Sequence, residues 1–248
     1  MLDALRTMRG VIRSLRIYYG DRSRAAAMDR LYARFVKPGD LVFDIGAHVG
    51  DRIAAFRRLG ARVVAVEPQP PLVRTLRLIY GRDRMVTIKH TAMGGSVGTT
   101  TLNINVRNPT ISTASQDFMQ AARDAKGWDT ETWTKSIEVP LTTLDALVAE
   151  YGLPTFIKID VEGFEAEVLA GLTQPVAALS FEFTTIQRDV ALKCIDRCVA
   201  LGFARFNAAL GESQTLLYAD GINRDAIARW LAELPYAANS GDIYAVRA

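Results

Sequence analysis

From Leu41 onward, short apolar runs rich in strand formers alternate with amphipathic stretches of helical length, and this alternation limits the fold more than any other feature of the chain. Leu41-Val42-Phe43-Asp44-Ile45 leads into a loop bounded by Gly46 and Gly50, then into a helical pattern from Asp51 to Leu59 closed by Gly60. Val63–Val66 reads as a second strand, Leu72–Tyr80 as a helix and Val86–Ile88 as a third strand. Strand, helix, strand, helix, strand with continuously apolar strands predicts a parallel, doubly wound α/β sheet. The rhythm breaks between Gly94 and Pro140. There Thr99–Val106 alternates with Leu102, Ile104 and Val106 on one face, and Ile137–Val139 is its expected partner. It resumes with a helix Leu141–Tyr151, a strand Phe156–Ile159, a helix Phe164–Leu172, a strand Leu179–Phe183 and a helix Asp189–Leu201. Phe203–Phe206, Thr215–Tyr218 and Ile243–Val246 read as closing strands, with a helix Asn223–Leu234 interrupting the last pair. The expectation is one domain over 37–248, carrying a β insertion at 95–140 and preceded by a helical extension over 1–36.

Composition narrows the function classes. A chain of 248 residues buries enough surface to need no disulfide or metal. Cys194 and Cys198 lie four apart in a helical pattern, which fits no zinc spacing, and two thiols on a helix face predict a reducing, cytoplasmic setting. No apolar run is long enough to span a membrane, and the first residues lack the apolar core of a secretory signal. The formal net charge of +3 is concentrated near the start: Arg6, Arg9, Arg13, Arg16, Arg22 and Arg24 face only Asp3 and Asp21. With Leu5, Met8, Ile12, Leu15 and Tyr19 at three- and four-residue steps, this is a basic amphipathic helix. The expected role of its stripe is packing on its own domain or on a second copy in a homodimer; peripheral contact with an anionic membrane surface is the alternative. The remainder is near neutral and has no basic stripe with interleaved aromatics, so nucleic acid is not an expected partner.

In an open parallel sheet, ligands lie at the carboxyl ends of the strands, and the loop after the first strand is the place to read. Asp44-Ile45-Gly46-Ala47-His48-Val49-Gly50 lacks the three glycines with which a dinucleotide enzyme cradles a pyrophosphate, which argues against a nicotinamide oxidoreductase. Asp44 would repel a phosphate but accept hydrogen bonds from an ammonium group. Glu67, at the end of the second strand and followed by Pro68, can accept both hydroxyls of a ribose. One acid for an amino-acid end and one for a ribose fit S-adenosylmethionine better than NAD. Ala92 and Met93, after the third strand, are placed to lie against its adenine.

These residues also resemble a known family. VFDIGAHVGDRIAAF, VVAVEPQPPLVRTL, LTTLDALV, FIKIDVEGFEAEVLAG and LSFEFTT, spread from about Pro38 to Thr185, resemble the FkbM family of class I methyltransferases, the IKIDVEGFEAEVLAG block being the most specific. The resemblance implies a Rossmann-like class I methyltransferase fold: a seven-stranded, mostly parallel sheet with helices on both faces and its last strand antiparallel. It also implies S-adenosylmethionine as cofactor and methyl transfer to a hydroxyl oxygen, usually of a sugar or natural product. Asp44, Gly46 and Gly50 then match the cofactor loop, Glu67 the ribose acid, and Asp160, Glu162 and Gly163 the block after the fourth strand. His48 stands where the family usually carries asparagine; it is larger and can take a proton.

Methylating an alcohol requires positioning of its oxygen and removal of its proton, which a placed base accelerates by roughly 10²–10⁴-fold. Asp160, at the carboxyl end of its strand, is the first candidate, ahead of Glu182 and Glu162, with His48 as an outsider. The three carboxylates could also take a divalent cation, but no Asp/Asn pair at a fixed offset calls for one, and no metal is expected. Lys158, inside an apolar strand, is expected to pair with a neighbouring carboxylate. Trp128 and Trp133 are candidates to stack on a small-molecule or glycan acceptor, the alternative being anchors for their own loop. A protein that binds the cofactor without turnover is the remaining alternative to an enzyme.

Overall fold

The computed structural model describes residues 2–128 and 130–247, with side chains from Thr7 onward. The chain begins with α1 (Leu2–Tyr19) and α2 (Arg22–Tyr32), continues with β1 (Leu41–Ile45), α3 (Asp51–Arg58), β2 (Arg62–Val66), α4 (Pro70–Tyr80) and β3 (Val86–Lys89), and then enters the insertion. There β4 (Ala92–Met93), β5 (Gly98–Ile104), α5 (Gln116–Arg123) and β6 (Lys135–Thr142) follow one another. The second half runs α6 (Leu144–Tyr151), β7 (Phe156–Ile159), α7 (Glu165–Ala170), β8 (Ala178–Thr184), α8 (Arg188–Ala200), β9 (Phe203–Leu210), α9 (Arg224–Glu233) and β10 (Ser240–Arg247).

Seven strands form the main sheet in the order β3-β2-β1-β7-β8-β10-β9. Neighbours are parallel except at β10, which runs antiparallel to both β8 and β9. Strand order reverses beside β1, so the crevice between β1 and β7 is where such a sheet opens to a ligand. Period-two alternation divides the core. Phe43, Ile45, Ile157, Ile159, Leu179 and Phe181 pack with α6 to α9 on one face, while Val42, Val63, Ala65 and Phe156 pack with α2, α3 and α4 on the other. Asp44 lies opposite Lys158 in the β1–β7 register, so the two polar residues share a sheet face at the carboxyl ends of the strands.

The sequence patterns meet the structure with four differences. Leu141 and Thr142 end β6 rather than starting a helix; α6 begins after Thr143, whose hydroxyl accepts the Ala146 N–H at 3.1 Å as an N-cap. Thr215–Tyr218 is not a strand: it is an irregular segment held to β9 by Leu217 N–H to the Ala208 carbonyl and by both ends of the Asn207 amide on Tyr218. Val106 lies beyond the end of β5. In α1 the stripe is displaced. Met8, Ile12 and Tyr19 are exposed, whereas Val11 is buried against Val49 and Leu72, with Leu15 and Tyr18 beside it. The side chains of Leu5 and Arg6 lie outside the described residues. Small side chains decide this: Gly10 lets α1 close on Pro109, where a Cβ would come within 2.9 Å of the proline ring, and Ser14 is buried on the same side. Met8, Ile12 and Ile17 stay outside with Arg9, Arg13 and Arg16.

The insertion forms its own three-stranded sheet, β4-β6-β5, in which β5 and β6 are antiparallel with Leu102 opposite Ile137. Gly46 takes φ +86°, and a Cβ there would land on the Asp160 carbonyl oxygen. Gly46→Ala is therefore expected to lower stability by more than ~2 kcal/mol in a denaturant titration. Gly98→Ala, where an added Cβ meets nothing within 4 Å, is expected to stay within about 0.5 kcal/mol of the parent.

Candidate active site

The loops after β1, β2, β3 and β7, together with β4, enclose a cleft holding about 880 Å³ of space, part of it open to solvent. Asp44, Gly46, Ala47 and His48 form one wall, Glu67, Pro68, Ala92 and Met93 a second, and Lys158, Asp160 and Glu162 a third. Thus eight of the nine residues expected at the cofactor line one space. The ninth, Gly50, does not: at φ +87° it starts α3, and its carbonyl accepts the Tyr80 hydroxyl at 2.7 Å, so its work is to turn the chain. Sequence reading missed Tyr18, Asp51, Arg52, Thr110, Ser112 and Glu212, which also line the cleft. Asp51 and Arg52 directly follow the glycine loop and were within reach of a local reading. The others come from α1, the insertion and the segment after β9, and no spacing in the sequence links them.

Two buried acids face each other across the first two walls. Asp44 is 1% exposed, and its Oδ2 has no hydrogen-bond partner among the described residues. Burial, and then the charge of Asp51, pushes its pKa up to about 7. Glu67 is 3% exposed; its two oxygens accept the His48 N–H at 2.9 Å and the Gln69 N–H at 2.8 Å. Burial outweighs those hydrogen bonds and raises its pKa to about 8. Each carboxylate oxygen has two lone-pair sites, so Glu67 can still take two hydroxyl donors. An unpartnered Asp44 oxygen fits an ammonium, and a diol-accepting Glu67 lies opposite. A loop that only glycine can close leaves room for a ligand beside them. The cleft therefore fits S-adenosylmethionine: Asp44 and the Gly46 loop would hold its amino-acid end, and Glu67 its ribose.

At the rim, Asp51 Oδ2 pairs with Arg24 at 3.1 Å and Arg52 at 2.6 Å, and Glu212 Oε2 joins the same two arginines at 2.7 and 3.3 Å. Desolvation raises the Asp51 pKa, and Arg52 with Arg24 more than reverses it, leaving the carboxyl below its ordinary value. The network ties α2, the start of α3 and the segment after β9 together beside the cleft. The Tyr18 ring lies under the Arg24 guanidinium, 4.8 Å from its centroid, and meets the His48 ring edge-to-face at 5.4 Å. The helical extension is thus part of the site wall. Desolvation depresses the His48 pKa to about 4, so the ring is neutral at pH 7, with Nε2 3.4 Å from the Thr110 hydroxyl.

The third wall holds the carboxylates proposed for proton handling. Lys158, 1% exposed, lies between Asp160 at 3.1 Å and Asp242 at 2.7 Å. Burial acts to raise the Asp160 pKa, and Lys158 followed by Arg52 overcomes it, so this carboxyl lies below its ordinary value. Glu162 sits in a left-handed backbone conformation, φ +57°, and is 6% exposed. Burial and the adjacent Asp160 hold its pKa well above the carboxylate range. Glu182 is within reach of both carboxylates but does not line the cleft; it faces a smaller cavity behind it. Trp128 and Trp133 do not line the cleft either. Both rings meet Phe118 edge-to-face, and the Trp133 N–H donates to the Ile111 carbonyl at 2.8 Å, which makes them anchors of the insertion loop. His90 is exposed and contacts the Pro68 carbonyl.

The model of the methyltransferase FkbM domain matches residues 44–193, well over half of the chain, and the chain belongs to that family. It is a class I methyltransferase in the arrangement of its sheet, and its methyl donor is S-adenosylmethionine. Among solved structures it is similar to a precorrin-6Y C5,15-methyltransferase from Geobacter metallireducens (13% identity, 91% of this chain and 87% of that one, TM-score 0.44). It is also similar to a magnesium protoporphyrin IX methyltransferase from Synechocystis with bound S-adenosylmethionine (11% identity, 96% and 84%, TM-score 0.46). Among curated proteins none matches. No described helix is long and apolar enough to cross a membrane.

The two raised acid pKa values fix a sign for pH dependence. Without ligand, the folded chain keeps protons on Asp44 and Glu67 that the unfolded chain releases above about pH 4. The contribution of these groups to stability therefore falls as pH rises from about 4 through their folded values near 7 and 8. A ligand bearing an ammonium group favours the ionised acids. S-adenosylhomocysteine is expected to release protons on binding near pH 6.5 and to bind more tightly as pH rises toward about 8. Calorimetry in buffers of different ionisation enthalpy measures this, and Asp44→Asn should abolish most of the release.

Proposed function

We propose that this methyltransferase acts on a hydroxyl oxygen of a sugar, glycan or other small natural product, with Asp160 receiving the hydroxyl and Glu162 sharing the proton. The observation that carries the reading is the position of Asp160. It is a 30% exposed carboxylate at the end of a central strand, held ionised by a buried lysine, and its backbone packs directly on the Gly46 loop. S-adenosylmethionine supplies a methyl group already activated on a sulfonium. What the chain must add is orientation of the acceptor and removal of one proton. Lys158 engages one Asp160 oxygen, and a carboxylate oxygen has lone pairs enough to accept an acceptor hydroxyl as well. Glu162, adjacent and of higher proton affinity, shares the proton that Asp160 alone holds poorly.

Tyr18, Phe164 and the insertion residues Thr110, Ser112 and Ala114 border the same space and are the walls against which an acceptor would lie, in place of Trp128 and Trp133. Their mixed aromatic and hydroxyl character suits a partly polar ring. The inward-facing arginines are neutralised by Asp51 and Glu212, which disfavours a polyanionic acceptor such as nucleic acid.

Asp160→Asn is expected to lower kcat by roughly 10²–10⁴-fold while S-adenosylhomocysteine affinity stays within about threefold, as measured by product formation with a panel of hydroxylated acceptors and by calorimetry. Unchanged turnover in this variant removes Asp160 from the reading. Cofactor binding without product from any acceptor in the parent protein identifies a silent binding protein. Tyr18→Ala is expected to raise the KM for the acceptor by about tenfold with a smaller change in kcat.

A further inference from the structure

Behind the carboxylate wall is a small cavity enclosing about 200 Å³ of space, part of it open to solvent, that the proposed methyl transfer does not use. Glu182, Gln187, Glu165 and Gly163 line it, at the carboxyl end of β8 and the start of α8. Glu182 Oε2 and Gln187 Oε1 are both buried, and neither has a hydrogen-bond donor among the described residues. Gln187 as a whole is only 7% exposed. A buried acceptor left without a donor costs roughly 1–3 kcal/mol, and two in one small cavity call for a ligand.

Glu182 also belongs to a cluster of three carboxylates. One oxygen each of Asp160, Glu162 and Glu182 lies within 4.8 Å of the other two. Three points so spaced all fall within about 2.8 Å of a common centre, slightly wider than the roughly 2.3–2.6 Å of a calcium–oxygen bond. The left-handed turn at Glu162 and Gly163, φ +57° and +85°, brings Glu162 back toward Asp160, and Glu162 makes no described side-chain hydrogen bond. The nearby cation is already committed, since Lys158 serves Asp160 Oδ2 and Asp242 Oδ1. Glu165 is occupied as well, its Oε1 accepting the Val161 and Gly163 N–H groups.

We infer that Asp160, Glu162, Glu182 and the Gln187 amide oxygen form a site for one hard divalent cation, of the Mg²⁺, Mn²⁺ or Ca²⁺ class. The donor set is all oxygen and carries three negative charges, which excludes soft metals and matches hard ones. A doubly charged ion neutralises most of the excess charge. The neutral amide oxygen of Gln187 completes the set without adding more. Burial and mutual repulsion hold Glu162 and Glu182 well above the usual carboxylate range when no cation is present, so protons are its competitors. Because Asp160 and Glu162 also line the main cleft, an ion held here sits at the boundary between cavity and cleft.

The full chain, stripped with a chelator and titrated with Mn²⁺ near pH 8 under electron paramagnetic resonance, tests this directly. One Mn²⁺ per chain is expected, displaced by excess Mg²⁺ or Ca²⁺. Glu162→Gln and Glu182→Gln should each weaken it by at least about tenfold and Gln187→Leu by several-fold. Gln187→Leu should still bind S-adenosylhomocysteine as the parent does, which separates loss of the ion site from loss of the fold. No bound Mn²⁺ in the parent overturns the site, and so does Mn²⁺ binding unchanged in both glutamate variants. The ion is counted without acceptor or turnover, so the outcome is read independently of whether the acceptor is a hydroxyl compound.

Discussion

The site depends on a close approach between two turns. The loop after β1 passes so near the turn after β7 that the Asp160 carbonyl occupies the volume a Cβ on Gly46 would fill. This approach sets the amino-acid end of the cofactor cleft against the carboxylate wall. Without it Asp44 and Asp160 would belong to separate pockets. It is available because parallel β1 and β7 are hydrogen-bonded neighbours, with Asp44 opposite Lys158, so both turns leave the sheet at the same height. Glycine at position 46, with φ near +86°, is the local condition for it.

Charge is arranged around that contact in two layers with different consequences. Asp44 and Glu67 are buried without cationic partners, and burial lifts both toward neutral pH. A positively charged ligand with donor groups is what they lack. Lys158 and the Asp51–Arg52–Arg24–Glu212 network, in contrast, are internally compensated. Removing one partner from such a buried group leaves an unpaired charge, at a cost of roughly 3–5 kcal/mol. The compensated groups therefore fix the frame, Asp160 serving both that frame and the cleft, and the uncompensated acids are left for function. Glu162 and Glu182 fall in the second class, although neither is part of the cofactor walls that hold Asp44 and Glu67.

The helical extension and the insertion convert a generic sheet edge into an enclosed space. α1 brings Tyr18 onto His48, and closes with the Tyr19 hydroxyl donating to the Val49 carbonyl and sharing a hydrogen bond with the Tyr80 hydroxyl. The insertion supplies Thr110 and Ser112 and is anchored by Trp128 and Trp133 on Phe118. The outward face of α1 keeps Met8, Ile12 and Ile17 exposed among arginines, and packing on the domain uses the opposite side of the helix.

The parallel strands of the sheet, the glycine loop and the two strand-end acids were legible in the sequence, because each depends on residues within one strand and the turn that follows it. Asp44 and Glu67 end buried strands, and a parallel sheet puts all such ends on one side. The face of α1 was not legible, since apolar residues lie on both sides of that helix. The choice fell to Gly10 and Ser14, which let it approach Pro109 and the domain. Nor could spacing reveal that Tyr18 and Glu212, 194 positions apart, border one cleft. Trp128 and Trp133 left two readings open, ligand contact or loop anchor, because composition does not say what lies beneath a ring; Phe118 lies beneath both. Glu182 follows the same logic. Alternation put its carboxylate on the polar side of β8, but only the packing of α8 over the strand end turned it away from the cleft and toward Gln187. Local periodicity determines which residues can be buried and which can end a strand; which of them meet is decided when helices and loops from distant parts of the chain close over the same edge of the sheet.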